Sequence, residues 1–376
     1  MRFSLIRTLV SLLAVLVFLL LFVLPAFSGP LLEAGYMPAW LLRSMGWMGI
    51  AQTWVMRLFV VGWIFFFGSC FASFLNVVAW RVPRGRGING SSHCPHCDVR
   101  LTMKDNIPVW GWLRNRGRCR ECKTPIAVRY LIVEIALGLV TLGLVALGVF
   151  WGGVNLPSGI GHDFRFAMLN NLVSYPQYPL IGITSFQLIL VFGLFAASVV
   201  RSEGLSVPIA IVGVVVVVGV VFAAIWPRAI VVDCFGNTVE LVRFARKWWL
   251  TLGLGAAAGF VAGFAFDRVA WFNGPYFLVE QIDFKDNSAS VSVESLDAKN
   301  VNRSVWSVTD GIASLPVVGL FLGWQALVSI VVLLVLMLPC RMLVGCRACV
   351  SLQAQVFLAT LVQLSCWRFL EWWKWL

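Results

Sequence analysis

LFVVGWIFFFGSCFASFLNVVAW, residues 58–80, carries no charged side chain and runs directly into Arg81. An apolar run of that length covers the roughly 30 Å hydrocarbon core of a bilayer as a single helix, at about 1.5 Å per residue. The pattern recurs along the chain. Uncharged stretches at 8–32, 135–154, 179–200, 206–226, 248–266, 311–340 and 348–367 bring the predicted number of transmembrane helices to about eight. Sixty per cent of the 376 residues are hydrophobic and 12% are charged, well below the roughly one-quarter charged fraction of soluble domains. Lipid is therefore the solvent this sequence is suited to. The first stretch also has signal-peptide features, with Arg2 and Arg7 ahead of it and Ala26-Phe27-Ser28 near its end. Its length favours a retained helix over a cleaved one.

Orientation follows from the basic residues, which accumulate in cytoplasmic loops. With the N-terminus inside and eight spans, 20 of the 29 Lys and Arg fall on the cytoplasmic side. The richest segment is 81–129, with eleven Lys and Arg against Asp98, Asp105 and Glu121. The basic residues sit beside the membrane rather than among aromatic stacking platforms. The net charge of +12 thus points to anionic lipid headgroups and away from nucleic acid. Three segments emerge: an N-terminal helix or signal with an external loop (1–57), a helix with a polar cytoplasmic loop (58–140), and a multi-helix membrane domain (141–376). The last is interrupted by a polar insertion at 273–309, where Ser288-Ala289-Ser290-Val291-Ser292-Val293-Glu294 alternates like a short exposed strand.

The basic loop contains Cys94-Pro95-His96-Cys97 and, 21 residues on, Cys119-Arg120-Glu121-Cys122. Two C-x2-C pairs can give four thiolates to one tetrahedral zinc, in the manner of a zinc ribbon. Disulfides are the alternative, and a reducing cytoplasm disfavours them. A closed four-thiolate site has no position for a reacting water, so its expected task is to hold together a loop too small for a core of its own. His93 and His96 are near enough in sequence to replace one thiolate, but the expectation for each is a solvated histidine beside the site. Cys346 and Cys349 form a third C-x2-C, expected in a turn outside the membrane. The fold class expected is an all-α polytopic membrane protein with a small cytoplasmic zinc-ribbon-like loop domain. The glycines within 253–263 predict close helix packing.

The run from Gly68 to Gly85, then His93-Cys94-Pro95-His96-Cys97, Asp105-Asn106-Ile107-Pro108-Val109, Gly117-Arg118-Cys119-Arg120-Glu121-Cys122, Arg129-Tyr130 and Glu134, resembles the type IV prepilin peptidases. That family consists of membrane aspartyl proteases that also N-methylate the trimmed pilin. The resemblance covers about residues 68–140. Ala72 stands where the family usually has glycine, and Leu131 where proline usually follows the tyrosine. It implies a multi-pass protein of the bacterial inner membrane, a type IV prepilin or pseudopilin-like precursor as partner, a structural Zn2+, and S-adenosylmethionine as methyl donor.

The family's protease segments are matched more loosely. Residues 194–200 followed by Ser206-Val207-Pro208 resemble the helix end and turn that carry the first catalytic aspartate. In that register Arg201 takes the aspartate's place and Ile209 replaces the aspartate after the proline. Residues 318–325 resemble the segment after the second aspartate, which puts Gly311 at its position and Asp310 one residue early. Aspartyl proteolysis needs one ionised and one protonated carboxyl around a water. An arginine can perform neither role. The expectation is therefore damaged or lost proteolysis, with Asp310 ion-paired to Arg201. A relocated pair, Glu203 with Asp310, is the competing expectation, and Asp267 reads as a helix-end charge. Two functions follow: a leader peptidase and N-methyltransferase, or a catalytically silent relative acting as a binding or assembly factor.

Overall fold

The computed structural model describes residues 39–94, 96–157, 178–231, 248–268, 307–308, 310–343 and 351–370. Among these the chain forms α1 (Ala39–Arg81), α2 (Trp110–Arg114), α3 (Val128–Val145), α4 (Tyr178–Ser202), β1 (Val207–Pro208), α5 (Ile209–Ile225), α6 (Trp248–Arg268), β2 (Ser307–Val308), α7 (Asp310–Leu343) and α8 (Leu352–Cys366). Five helical segments are long and apolar enough to cross a membrane: Leu58–Arg84, Val128–Phe150, Tyr178–Ser202, Trp248–Phe266 and Ala313–Met337. The protein is thus an all-α membrane protein. Two further expected spans are shorter helices, α5 and α8, of 17 and 15 residues. The predicted first span at 8–32 lies outside the described residues, as do the strand expected at 288–294 and Cys346 and Cys349.

One boundary differs from the sequence reading. Helix α1 is continuous over 43 residues from Ala39, so most of the external loop expected before residue 58 is helix. Leu41, Leu42, Met45, Met48 and Ala51 are good helix formers, and the apolar period alone does not register such a polar-tolerant lead-in.

The bundle core is built where α4, α7 and α8 meet. Phe186 stacks on Phe321 with ring centroids 4.5 Å apart, and Leu190, Leu194, Leu315, Val318, Val356 and Leu364 are buried around them. Helices α6 and α7 pack closest. A methyl group on Gly255 would overlap the Gly319 carbonyl, a methyl on Gly319 would overlap that of Gly255, and Gly259 meets the Leu315 carbonyl in the same way. This is the small-residue contact foreseen for 253–263, and it brings two backbones together where side chains would hold them apart. Helix α7 breaks at Gly323, whose φ of 82° is left-handed and suits glycine alone.

One small sheet fixes the end of the bundle where the metal-type loop emerges. β1 pairs antiparallel with β2, Val207 opposite Val308 and Pro208 opposite Ser307. Ala79 of α1, Ala196, Ala197 and Val200 of α4, Val207, Ile211 of α5 and Ala313 of α7 pack into one cluster beside it. Four helix ends and the root of the loop therefore form one unit.

Candidate metal centre and the adjoining helix ends

Each cysteine pair folds as the same knuckle. The Cys94 N–H donates to Val99 O and the Asp98 N–H returns to Cys94 O, at 3.0 and 2.9 Å; Cys119 with Thr124 and Lys123 repeats this at 2.8 and 3.2 Å. The turn closes only if the residue four after the first cysteine is left-handed, and Asp98 (φ 53°) and Lys123 (φ 57°) both are. One-residue bridges, His93 with Arg100 and Arg118 with Pro125, flank the two turns.

The knuckles face each other. Cys94 Sγ lies 3.8 Å from Cys122 Sγ, and Cys97 Sγ 3.9 Å from Cys119 Sγ; all four sulfurs fall within 4.8 Å of one another. A tetrahedron with zinc–sulfur bonds of about 2.3 Å has sulfur–sulfur edges of about 3.8 Å. The donor set thus fits a tetrahedral thiolate-bound metal ion. Hydrogen bonding with Thr124 lowers the Cys122 thiol below its ordinary range, while at Cys97 a backbone hydrogen bond at Val99 is outweighed by loss of solvent and, after it, by the neighbouring sulfurs, which raise the thiol. Four thiolates this close repel one another, and a cation removes that penalty. His93 is turned to Ser91, with Nε2 3.4 Å from the hydroxyl oxygen, and the metal-capable group among the described residues consists of the four cysteines.

The connection between the knuckles is tied to the helices. Asp105 accepts hydrogen bonds from the Thr102 N–H and hydroxyl at 2.9 and 2.7 Å, from Asn115 at 3.1 Å and from Arg120 at 3.2 Å. Burial works against ionisation here, but these donors outweigh it and hold the carboxyl down at about 2. Gly111 packs so close to the Asp105 carbonyl that a side chain would overlap it. Val109 has φ 63°, a costly conformation for a β-branched residue, and its N–H donates to the buried Glu134 carboxylate at 2.7 Å. Ser69 of α1 donates to the Glu134 backbone carbonyl at 3.0 Å. Arg81 gathers the start of the loop by donating to the carbonyls of Ile88, Asn89 and Ser91.

A profile of the bacterial peptidase A24 N-terminal domain matches residues 66–147. That segment belongs to this family. A prepilin leader peptidase/N-methyltransferase of Myxococcus xanthus is 48% identical over 84 residues, 22% of this chain and 25% of the relative. The type 4 prepilin-like proteins leader peptide-processing enzyme of Escherichia coli is 37% identical over 94 residues, 20% of this chain and 35% of the relative. The Vibrio cholerae prepilin leader peptidase/N-methyltransferase is 29% identical over 125 residues, 29% and 49% of the two chains. The chain thus matches between a quarter and a half of the length of these curated relatives, and no solved structure matches it. The peptidase A24 N-terminal domain here runs from the second half of α1 through the knuckles to the end of α3.

Beyond that domain the β1–β2 pair brings together the two positions read as degenerate. Arg201 is the penultimate residue of α4, Glu203 follows in the turn, β1 leads into α5 at Ile209, and β2 leads into α7 at Asp310 and Gly311. Arg201 Nη1 donates to the Leu205 carbonyl at 3.4 Å. The side chains of Asp310 and Asp267 lie outside the described residues, so the expected Asp310–Arg201 ion pair does too. Glu203 is 16% exposed and ion-paired with Arg129. Arg129, Glu134 and Val109 were visible in the sequence only as parts of a resemblance; the long-range contacts that define their roles leave no local signal.

Proposed function

We propose that this protein is a multi-pass membrane relative of the prepilin leader peptidase/N-methyltransferases that has kept the metal-holding domain and lost two-aspartate proteolysis. On this reading Cys94, Cys97, Cys119 and Cys122 hold a structural Zn2+. The loop lies on the cytoplasmic side of a bacterial inner membrane and binds a type IV prepilin or pseudopilin-like precursor without cutting it. The observation that carries the reading is the pairing of Glu203 with Arg129 next to Arg201. A carboxylate beside a guanidinium is held ionised, whereas a catalytic dyad must share a proton.

One observation favours a second reading. The β1–β2 ladder brings the start of Asp310's helix beside the turn that bears Glu203, which is where a relocated carboxylate pair would have to assemble. An enzyme of that kind would cleave the leader and, with S-adenosylmethionine, methylate the new N-terminus.

Incubating the full-length protein in membranes with a prepilin from the same genome separates the two. The silent reading expects the precursor to co-purify with its leader intact and no methyl group transferred. Leader removal that disappears in Asp310→Asn establishes the second reading and defeats the first.

A further inference from the structure

The peptide between the two knuckles does not sit in water as a free polar module would. Val109 is held by Glu134, which lies five residues past Arg129 in α3, about 7.5 Å along the axis. The backbone carbonyl of Glu134 is bound by Ser69, twelve residues before the end of α1, about 18 Å from Arg81 along the helix. Ile107 and Pro108 reach further. With Leu101 and Met103 they line an open groove that includes Phe66, fifteen residues, or about 22 Å, from Arg81. The tip of the loop thus lies alongside apolar parts of α1 and α3 at the level of Phe66 and Ser69; α1, continuous over 43 residues from Ala39, is about twice as long as a bilayer core is thick, so this level can stand at the membrane interface.

What the tip presents outward is apolar. Met103 is 89% exposed, Trp110 60%, Leu113 50% and Ile107 38%. These side chains extend the apolar surface of α1 at Phe66 and Phe67, which are exposed as well. The exposed Arg100, Lys104, Arg114 and Arg116 accompany it, a charge pattern complementary to anionic headgroups. Part of the backbone is hydrogen-bonded within the protein. Thr102 N–H goes to Asp105, Val109 N–H to Glu134, Trp110 N–H to Pro108 O, Gly111 N–H to Ile107 O and Leu113 N–H to Val109 O. Irregular backbone survives at membrane depth only when its polar groups have such partners.

We infer that residues 103–113 are a lipid-docking tip, seated in the headgroup–acyl boundary of an anionic bilayer. Met103, Ile107, Trp110 and Leu113 meet the acyl chains, and Lys104 and Arg114 meet the lipid phosphates. The metal-holding knuckles are thereby held at the membrane surface whether or not a precursor is bound or cleaved.

The test uses full-length protein carrying a photoreactive phenylalanine analogue singly at Met103, Ile107, Trp110 or Leu113. Phe59, an exposed apolar residue of α1, is the lipid-facing reference, and the exposed Glu121 is the water-facing one. Each variant is reconstituted in phosphatidylethanolamine–phosphatidylglycerol vesicles with a tagged phosphatidylglycerol tracer, and its bound metal is measured to confirm that the loop is folded. Lipid adducts at the four positions within about threefold of Phe59, and about tenfold above Glu121, are expected for an interfacial segment. Metal-loaded variants with no adduct above the Glu121 level overturn the inference. Adducts to a second copy of the chain in place of lipid overturn it too, and would make the tip a self-association surface.

Discussion

Replacing Glu134 tests how the loop is held against the helices. Its carboxylate accepts the Val109 N–H at 2.7 Å within a buried contact, and hydrogen bonds to charged groups contribute about 1.5–3 kcal/mol. Glu134→Leu removes the acceptor and leaves the N–H buried without one. Val109, at φ 63°, then has nothing to offset a strain of about 1–2 kcal/mol, so the 105–113 segment should open more often. A loss of about 2 kcal/mol corresponds to roughly thirtyfold faster amide exchange through local opening. The assay is hydrogen–deuterium exchange of the full-length protein in lipid nanodiscs, read on peptides covering 101–115. Glu134→Gln, which keeps one acceptor oxygen, should lose less than Glu134→Leu. Ser69→Ala, which touches only the backbone carbonyl of Glu134, should leave the segment nearly unchanged. Unaltered protection in Glu134→Leu would refute the reasoning, as would a Ser69→Ala effect equal to it.

Removing the metal with a strong chelator, or introducing Cys97→Ser, should abolish protection across both knuckles while the α4–α7 core stays intact, because a structural zinc contributes on the order of 10 kcal/mol to the fold of a small module; metal analysis and exchange on the same sample check this. Gly255→Leu drives a side chain into the Gly319 carbonyl and should cost about 2–3 kcal/mol or prevent assembly, whereas Gly253→Ala, with open space around it, should be neutral in the same thermal-unfolding assay. The Asp105 carboxyl is depressed from 3.8 to about 2 in the folded chain. Its stabilising contribution is thus complete above about pH 4 and is lost as pH falls through about 2, so the advantage of wild type over Asp105→Asn in loop protection should shrink across that window. Arg201→Asp together with Gly311→Asp should be needed for any gain of leader cleavage, and either change alone should leave a prepilin uncut in a membrane assay.

The parts legible in the sequence are those encoded locally. Four cysteines at C-x2-C spacing specify a metal knuckle because the turn is only a few residues long, and the 58–80 run specifies a helix because its length matches the bilayer. The glycines of α6 announced a close contact but not its partner. What escaped the sequence depends on residues far apart in the chain. The β1–β2 pairing joins two-residue strands about a hundred positions apart, too short for any alternation to show. The Arg129–Glu203 pair links the metal domain to a turn in a different segment. The left-handed Val109 breaks the preference of its residue type and is held by Glu134 through a contact 25 residues away. The extension of α1 back to Ala39 runs through Arg43 and Arg57, which interrupt the apolar pattern without interrupting the helix.

The electrostatics of the helix-end face bear on what it can do. A carboxyl dyad works because two like charges crowd together, which raises one pKa until a single proton is shared. In this chain Arg201 lies in the last turn of α4, α1 ends on Arg81 with Arg84 just beyond, and Arg129 lies in the first turn of α3. Glu203 is already bound to one of these cations. A neighbouring guanidinium favours the charged form of a carboxylate, whereas a dyad needs one of its two carboxyls protonated. Such a face can hold anionic groups or lipid phosphates and can fix the metal-type loop against the bundle. On the reading proposed above, the arginines that anchor the loop would favour holding a precursor over cleaving it.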